Sequence, residues 1–472
     1  MVVGSFAKGC QVVVIGSGPG GYLAAIRLAQ LKKDVILVES EKALGGICLN
    51  EGCIPSKALI HAADFYTDTQ TSTSFGVTVE KVSFDLPKLI AWKDGIVQRL
   101  TGGVKTLCAK NGAEVMHGRA RFISDRQVEV VSPDGVQVVQ FEQAVIATGS
   151  VPFDLPGFAR DGETVIGSKE ALALQRMPQK FVVIGGGYVG LELGSVYRKF
   201  GAEVAVVEFF PELLGQHDPE VREALTRRLK TLGIQLYLGH RALSLEKGSP
   251  SKVTIQDREQ KTTVLEADKV LMSVGRVPNV DGLGLKNAGV SQDAKGFIQV
   301  NSRMETTTPG IYAIGDVVGG PLLAHKAYRE AKVAAEVIAG EASAFDNRVI
   351  PAVVYTDPEV AWAGLSEMEA RAKGFNVVTG TFPFRASGRA MTLNATDGFV
   401  KTVADADTKR ILGIHVVGAG ASEIISEGAL AIEMGAFLDD LSGTIHPHPT
   451  LSEGLMESVE AALGEAIHVM NK

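Results

Sequence analysis

Short, almost uninterrupted apolar runs recur along the chain and end in glycine or an acid. They are QVVVIG at 11–16, VILVE at 35–39, AVIATG at 144–149, FVVIGG at 181–186, VAVVE at 204–208 and IYAIGD at 311–316. Runs of this length, rich in β-branched residues, predict buried strands. Ala- and Leu-rich stretches of helical character follow several of them, the longest being PLLAHKAYREAKVAAEVIAG at 321–340. After about residue 345 the pattern changes. PAVVYTDPEVAWAGLS and VKTVADADTKRILGIHVVG alternate as strands, and helical stretches follow.

Residues 11–39 combine a strand, Gly16, Gly18 and Gly21, a helix, and a second strand ending at Glu39. A dinucleotide-binding βαβ unit needs this layout. Gly16 allows the tight turn, Gly18 lets the backbone approach a pyrophosphate, and Gly21 lets helix and strand pack closely. The helix N-terminus attracts phosphate charge, and Glu39 can accept hydrogen bonds from a ribose diol. The pattern returns at 181–208 with Gly185, Gly187, Gly190 and the strand-end acid Glu208. Two fingerprints imply two dinucleotides. A carboxylate at Glu208 favours NAD, because it would repel the 2′-phosphate of NADP. Asp316, which ends the run IYAIGD, could hold a flavin ribityl hydroxyl or cap a helix. The helix after it could turn its positive end toward a flavin ring.

These elements predict an α/β fold class with two Rossmann-like dinucleotide-binding domains, one for FAD and one for NAD, plus a separate C-terminal α+β domain without a glycine fingerprint. The expected division is 1–150 and 276–345 for the FAD-binding domain, 151–275 for the NAD-binding domain and 346–472 for the C-terminal domain. VPFDLPG at 151–157 reads as a linker.

The chain has 472 residues, enough for about three domains at roughly 100–200 residues each. A net charge of −7 argues against a nucleic-acid partner. No uncharged apolar run reaches the ~18 residues of a membrane span, and the N-terminus lacks the features of a signal peptide. The expectation is a soluble cytoplasmic protein with no membrane partner.

Only four cysteines occur, and two of them stand together in GGICLNEGCIPSK at 45–57. A structural zinc site needs four ligands, and Cys10 and Cys108 stand alone, so no metal is expected. A structural disulfide is disfavoured in a reducing compartment. A redox-active Cys48–Cys53 pair remains. Ile54 and Pro55 read as a helix start, where the helix dipole would lower the pKa of a thiolate. Two dinucleotides and a dithiol form a path for two electrons. Thiol–disulfide exchange also needs a base. TIHPHPTLSEG at 444–454 offers His446 and His448, with Glu453 placed to fix a tautomer.

GGICLNEGCIPSK, IGGGYVGLELG, IYAIGD, LAHKA, YTDPEVAWAG, AIEMG and HPHPTLSE occur in order along the chain. Together they resemble the pyridine nucleotide–disulfide oxidoreductases over roughly residues 10–465, and within that family its dihydrolipoamide-oxidising branch. The resemblance implies a homodimer that uses FAD and NAD to reoxidise lipoyl domains of 2-oxo-acid dehydrogenase or glycine cleavage complexes. It implies that Cys48 exchanges with substrate, that Cys53 lies against the flavin, and that Lys57 approaches the flavin and pairs with Glu192. Glu39, Gly118, Thr148, Gly149, Ser150, Asp316, Leu322, Leu323, Ala324 and His325 would line FAD. Glu208 and Gly275 would line NAD. His448, oriented by Glu453, would reach Cys48 of the other subunit. The alternatives are a disulfide reductase for another thiol and a non-catalytic scaffold subunit. One departure from the family pattern is Glu51, which places a negative charge between the cysteines and would raise their pKa if it pointed at them.

Overall fold

The computed structural model describes residues 7–471. Its first sheet begins with β1 (Lys8–Ile15), α1 (Pro19–Gln30) and β2 (Val35–Glu39), with β1 and β2 parallel. Every residue of β2 is buried, which is why the run carries no polar alternation. Two helices follow, the short α2 (Gly46–Asn50) and α3 (Cys53–Thr71), then the long α4 (Leu86–Asn111). β3 (Glu114–His117), β4 (Arg119–Phe122), β5 (Gln127–Ser132) and β6 (Gly135–Ile146) complete the order β3-β2-β1-β6-β5-β4.

The segment expected as a linker opens with a strand before its loop. β7 (Ser150–Pro152) leaves the first sheet and β8 (Val165–Ile166) enters the second, followed by the short α5 (Ser168–Ala171). β9 (Lys180–Ile184), α6 (Tyr188–Lys199), β10 (Glu203–Glu208), α7 (Pro219–Thr231) and β11 (Gln235–Leu238) repeat the βαβ plan. A three-stranded antiparallel layer, β12 (Arg241–Glu246), β13 (Ser251–Gln256) and β14 (Thr262–Ala267), precedes β15 (Lys269–Met272). The second sheet runs β11-β10-β9-β15-β8, all parallel. The chain returns along β16 (Arg276–Pro278), which pairs antiparallel with β7. The outgoing and returning crossings satisfy each other's backbone groups, which two separate linkers would leave to water. β17 (Ile311–Ala313) then pairs parallel with β6, so it rejoins the first sheet. The helix read at 321–340 is α8 (Ala324–Ile338), and it packs against α1.

The C-terminal layer is antiparallel. β18 (Ala352–Val354), β19 (Val360–Gly364), α9 (Glu367–Ala372), β20 (Val377–Pro383), α10 (Gly388–Thr392), β21 (Phe399–Asp405) and β22 (Ile411–Val417) form the sheet β18-β19-β22-β21-β20 and its short helices. α11 (Ala421–Met434) and α13 (Glu453–Leu463) cover it, and α12 (Leu438–Ser442) lies between them. A buried charge cluster ties this layer to the second nucleotide unit. The Lys401 ammonium lies 3.0 Å from Asp218 and 2.8 Å from Glu367, and it also contacts Glu220. Among the described residues these carboxylates are the acidic group compact enough for a metal, and Lys401 sits among them. No helix of the described residues is long and apolar enough to cross a membrane.

Candidate active site

Cys48 lies on α2 and Cys53 is the first residue of α3. Both are free thiols in this structure. The neighbouring Cys48 thiol, helped against burial by the Lys57 charge and by the start of α3, pushes Cys53 down to about 7. The neighbouring Cys53 and burial push Cys48 up. Cys53 is therefore the sulfur that carries negative charge most readily. Glu51 does not point between the two thiols. Its carboxylate lies 2.7 Å from Lys169, and Ser168 Oγ donates to its carbonyl at 3.1 Å.

Lys57 stands one helical turn beyond Cys53. Its ammonium lies 2.8 Å from Glu192 on α6 and 4.3 Å from the centre of the Tyr355 ring. The second Glu192 oxygen accepts from the Tyr355 amide at 3.0 Å. One buried carboxylate thus joins the cysteine helix, the second nucleotide unit and the turn just after β18 of the C-terminal layer.

At the first glycine turn, Gly16 has φ +96°, and a Cβ there would meet the Ala147 carbonyl at 2.5 Å. A Cβ on Gly21 would meet the Gly16 carbonyl at 1.8 Å, so helix and strand touch backbone to backbone. Gly18, by contrast, faces open space beside the α1 N-terminus. Glu39 accepts from Ser17 N at 2.8 Å, from Ser17 Oγ at 2.5 Å and from Glu41 N at 2.8 Å, which fixes its carboxylate at the strand end. Gly118 N donates to the Glu39 carbonyl, and a Cβ there would strike Val130, so Gly118 shapes the neighbouring strand. Thr148 Oγ1 is buried and has no hydrogen-bond partner, while Gly149 faces open space. An orphaned buried hydroxyl beside open backbone and a helix N-terminus fits a flavin dinucleotide. Ser150 Oγ donates to Asp316 at 2.6 Å. Leu322 and Leu323 precede α8, Ala324 starts it, and the His325 ring bonds the Pro351 carbonyl at 2.6 Å.

The second turn repeats the arrangement. A Cβ on Gly185 or Gly190 would strike backbone oxygen at 2.4 or 2.3 Å, while Gly187 and Gly275 face open space. Glu208 accepts from Gly186 N at 2.6 Å and Phe210 N at 2.8 Å, so its carboxylate stands beside the glycine loop. These residues fit a second dinucleotide with an acid at its ribose.

His446 and His448 part company in the fold. His446 is buried and bonds Glu427 at 2.8 Å. His448 is 80% exposed, and its Nδ1 bonds Glu453 at 2.8 Å. Against the cost of burial, the Thr450 amide and the His448 ring hold Glu453 below the usual carboxylate range. The ring therefore offers a free Nε2 on an exposed loop. Among the described residues it is hydrogen-bonded to Glu453 and to neither cysteine.

Sequence reading missed Arg276. Its guanidinium donates to Ser150 Oγ and Ser150 O, both at 2.7 Å, and so links the paired crossings to Asp316. The arginine follows Gly275 directly, but nothing local shows that it folds back onto β7.

The sequence matches the pyridine nucleotide-disulphide oxidoreductase family over residues 10–331 and the dimerisation domain of that family over residues 350–459. It is 49% identical to the dihydrolipoyl dehydrogenase of Thermus scotoductus, over 98% of this chain and 100% of that one. It is 46% identical to dihydrolipoyl dehydrogenase 2 of Haloarcula marismortui, over 99% of this chain and 100% of that one. Among solved structures, LpdA from Mycobacterium tuberculosis superposes with a TM-score of 0.89 at 27% identity, covering 95% of this chain and 99% of that one. With its paired thiols, two glycine turns and C-terminal antiparallel layer, the chain belongs to the pyridine nucleotide-disulphide oxidoreductases.

Proposed function

We infer that this enzyme oxidises dihydrolipoyl groups with NAD+, using FAD and the Cys48–Cys53 pair. The observation that carries the reading is the thiol pair at the start of α3, tied through Lys57 and Glu192 to the second glycine turn. Full-length likeness to dihydrolipoyl dehydrogenases supports it. Glu208 beside the second turn favours NAD over NADP.

The steps follow from the residues. Glu453 accepts the Nδ1 proton of His448, which leaves Nε2 as the proton acceptor. A dimer would bring His448 of the partner subunit to the substrate thiol, because in one chain it stands exposed and apart from the cysteines. The deprotonated thiol attacks Cys48 Sγ of the oxidised pair. The Cys48–Cys53 bond breaks, and Cys53 leaves as a thiolate stabilised by Lys57 and the α3 N-terminus. The second substrate thiol then displaces Cys48 from the mixed disulfide, releasing the lipoyl disulfide and leaving both electrons on the enzyme dithiol. When bound at the first turn, FAD supplies the two-electron relay between this dithiol and NAD+. Thr148, Asp316 and the α1 N-terminus would hold it there.

The match to the family's dimerisation domain supports a homodimer. Lipoyl domains of 2-oxo-acid dehydrogenase or glycine cleavage complexes are the proposed partners, and the cytoplasm is the proposed location. The test is NAD+ reduction by the holoenzyme with dihydrolipoamide, set beside reduction of glutathione disulfide with NADPH. Turnover of the second pair alone would overturn the reading.

A further inference from the structure

Helix α8 carries a buried ion pair that the steps above do not use. Lys326 and Glu330 stand one turn apart on it, 4% and 5% exposed, with their charged atoms 2.7 Å apart. Burying two charges costs more than burying two apolar side chains of similar size. What the charges hold accounts for them. Glu330 Oε1 accepts from Lys326, and Oε2 accepts from the Gly315 amide at 2.7 Å. The Lys326 ammonium also reaches the Gly315 carbonyl at 3.4 Å. Both backbone groups of Gly315 are thus gripped from α8.

Gly315 opens a single 3₁₀ turn over Gly315–Val318, and no side chain at Ile314 caps that turn. The Gly315 amide would otherwise be an unpaired donor at its start, and Glu330 fills the place from a neighbouring helix. Gly315 has φ +80°, a conformation that favours glycine and that glycine by itself holds loosely. The next residue is Asp316, whose carboxylate accepts from Ser150 Oγ at 2.6 Å. Helix α8 is fixed in turn against α1. A Cβ on Gly20 would meet the Ala327 Cβ at 3.4 Å, and Tyr22 and Tyr328 share a hydrogen bond at 3.2 Å. The grip on Gly315 therefore comes from a rigid part of the fold.

We propose that Lys326 and Glu330 are positioning residues for the flavin site: their hydrogen bonds to Gly315 hold Asp316 in place for FAD. The proposal rests on the reading that FAD lies against Asp316. A carboxylate suits the task because it has two oxygens for two donors, the Lys326 ammonium and the Gly315 amide. A glutamine has one acceptor oxygen, and the ammonium would draw it away from Gly315.

The test follows FAD release from holoenzyme diluted to nanomolar concentration, read as the rise of free-flavin fluorescence. Glu330→Gln should release FAD about tenfold faster, because Gly315 loses its acceptor. Adding Lys326→Met removes the competing donor and frees the amide oxygen for Gly315, so release should return to within about threefold of wild type. Asp316→Asn should also speed release, and in that background Glu330→Gln should add less than about twofold, because it acts through Asp316. A merely structural role adds its full factor in both backgrounds. Wild-type release from Glu330→Gln, no rescue by Lys326→Met, or full additivity with Asp316→Asn would each overturn the proposal. Should Glu330→Gln alone give no folded holoenzyme, the apolar pair Lys326→Met/Glu330→Leu is compared with Lys326→Met/Glu330→Gln. Release about tenfold faster from the leucine variant supports the grip on Gly315, and equal release overturns it. Wild-type release from Asp316→Asn would overturn the placement of FAD against Asp316, and this proposal with it. A failure seen only in the Lys326 and Glu330 variants leaves that placement standing.

Discussion

Lys57 and Glu192 are 135 residues apart in the chain, yet their charged atoms lie 2.8 Å apart. The ammonium also lies over the Tyr355 ring, and the carboxylate, buried on α6, takes the Tyr355 amide as well. Glu192→Gln keeps the shape but leaves Lys57 without its counter-charge beside the thiols. Breaking such a pair should cost about 1–3 kcal/mol, since Lys57 is half-buried rather than fully buried. Urea unfolding of the holoenzyme measures this, and a midpoint equal to wild type would count against the pair.

Cys48→Ser should retain bound flavin and lose dihydrolipoamide turnover by at least about 100-fold, because the attacked sulfur is gone. Steady-state NADH formation checks it. Near-wild-type turnover would remove the thiol pair from the mechanism.

Glu208→Ala should weaken NADH binding by about tenfold and narrow the preference against NADPH. Its carboxylate stands beside the second glycine loop, where it would accept from a ribose diol and repel a phosphate. Titration of intrinsic fluorescence with each coenzyme gives both constants. Equal affinities of the unaltered enzyme for NADH and NADPH would show that Glu208 does not discriminate.

His448→Gln should slow dihydrolipoamide oxidation by about 10²–10⁴-fold, as loss of a general base does. Glu453→Gln should act more mildly, because the ring remains but its Nδ1 partner changes. NADH oxidation by ferricyanide needs no base at the sulfur and should persist in both. Mixed dimers of Cys48→Ser and His448→Gln subunits gather both defects at one shared site. They should regain about half of wild-type turnover. Verified heterodimers that stay inactive would place base and thiols in the same chain.

Acid should loosen the contact between the second nucleotide unit and the C-terminal layer. His217 is buried against Trp362 and near His415, and burial first, then His415, lowers it to about 4. The unfolded chain binds its proton near 6.5, so stability is present above that pH and falls as pH drops from about 6.5 to about 4. The loss amounts to roughly 3 kcal/mol for this group. His217→Phe should flatten the pH dependence of the unfolding midpoint across that window, and an unchanged slope would argue against the assignment.

The local geometry of neighbouring residues was legible in the sequence. The glycine turns at 16–21 and 185–190, their strand-end acids Glu39 and Glu208, the close thiols and the His448–Glu453 spacing all act over a few residues or within one βαβ unit. Local backbone geometry ties such residues together, so their order along the chain already states it. What lies between distant segments was decided only by the tertiary structure. Val151 and Pro152 read as part of a linker, because a short run with proline has no partner until the chain returns at Arg276–Pro278. Arg276 carried no local sign that it would fold onto Ser150 and so reach Asp316. Glu51 stands between the cysteines in sequence, but its charge is spent on Lys169, which packing alone brings there. His446 and His448 looked alike in the turn, and burial separated them, giving one to Glu427 and leaving the other exposed. The meeting of Tyr22 with Tyr328 depends on two helices crossing at Gly20 and Ala327. Periodicity within either helix says which residues share a face, but the crossing point depends on how closely two backbones approach, and that is settled only when the whole core packs.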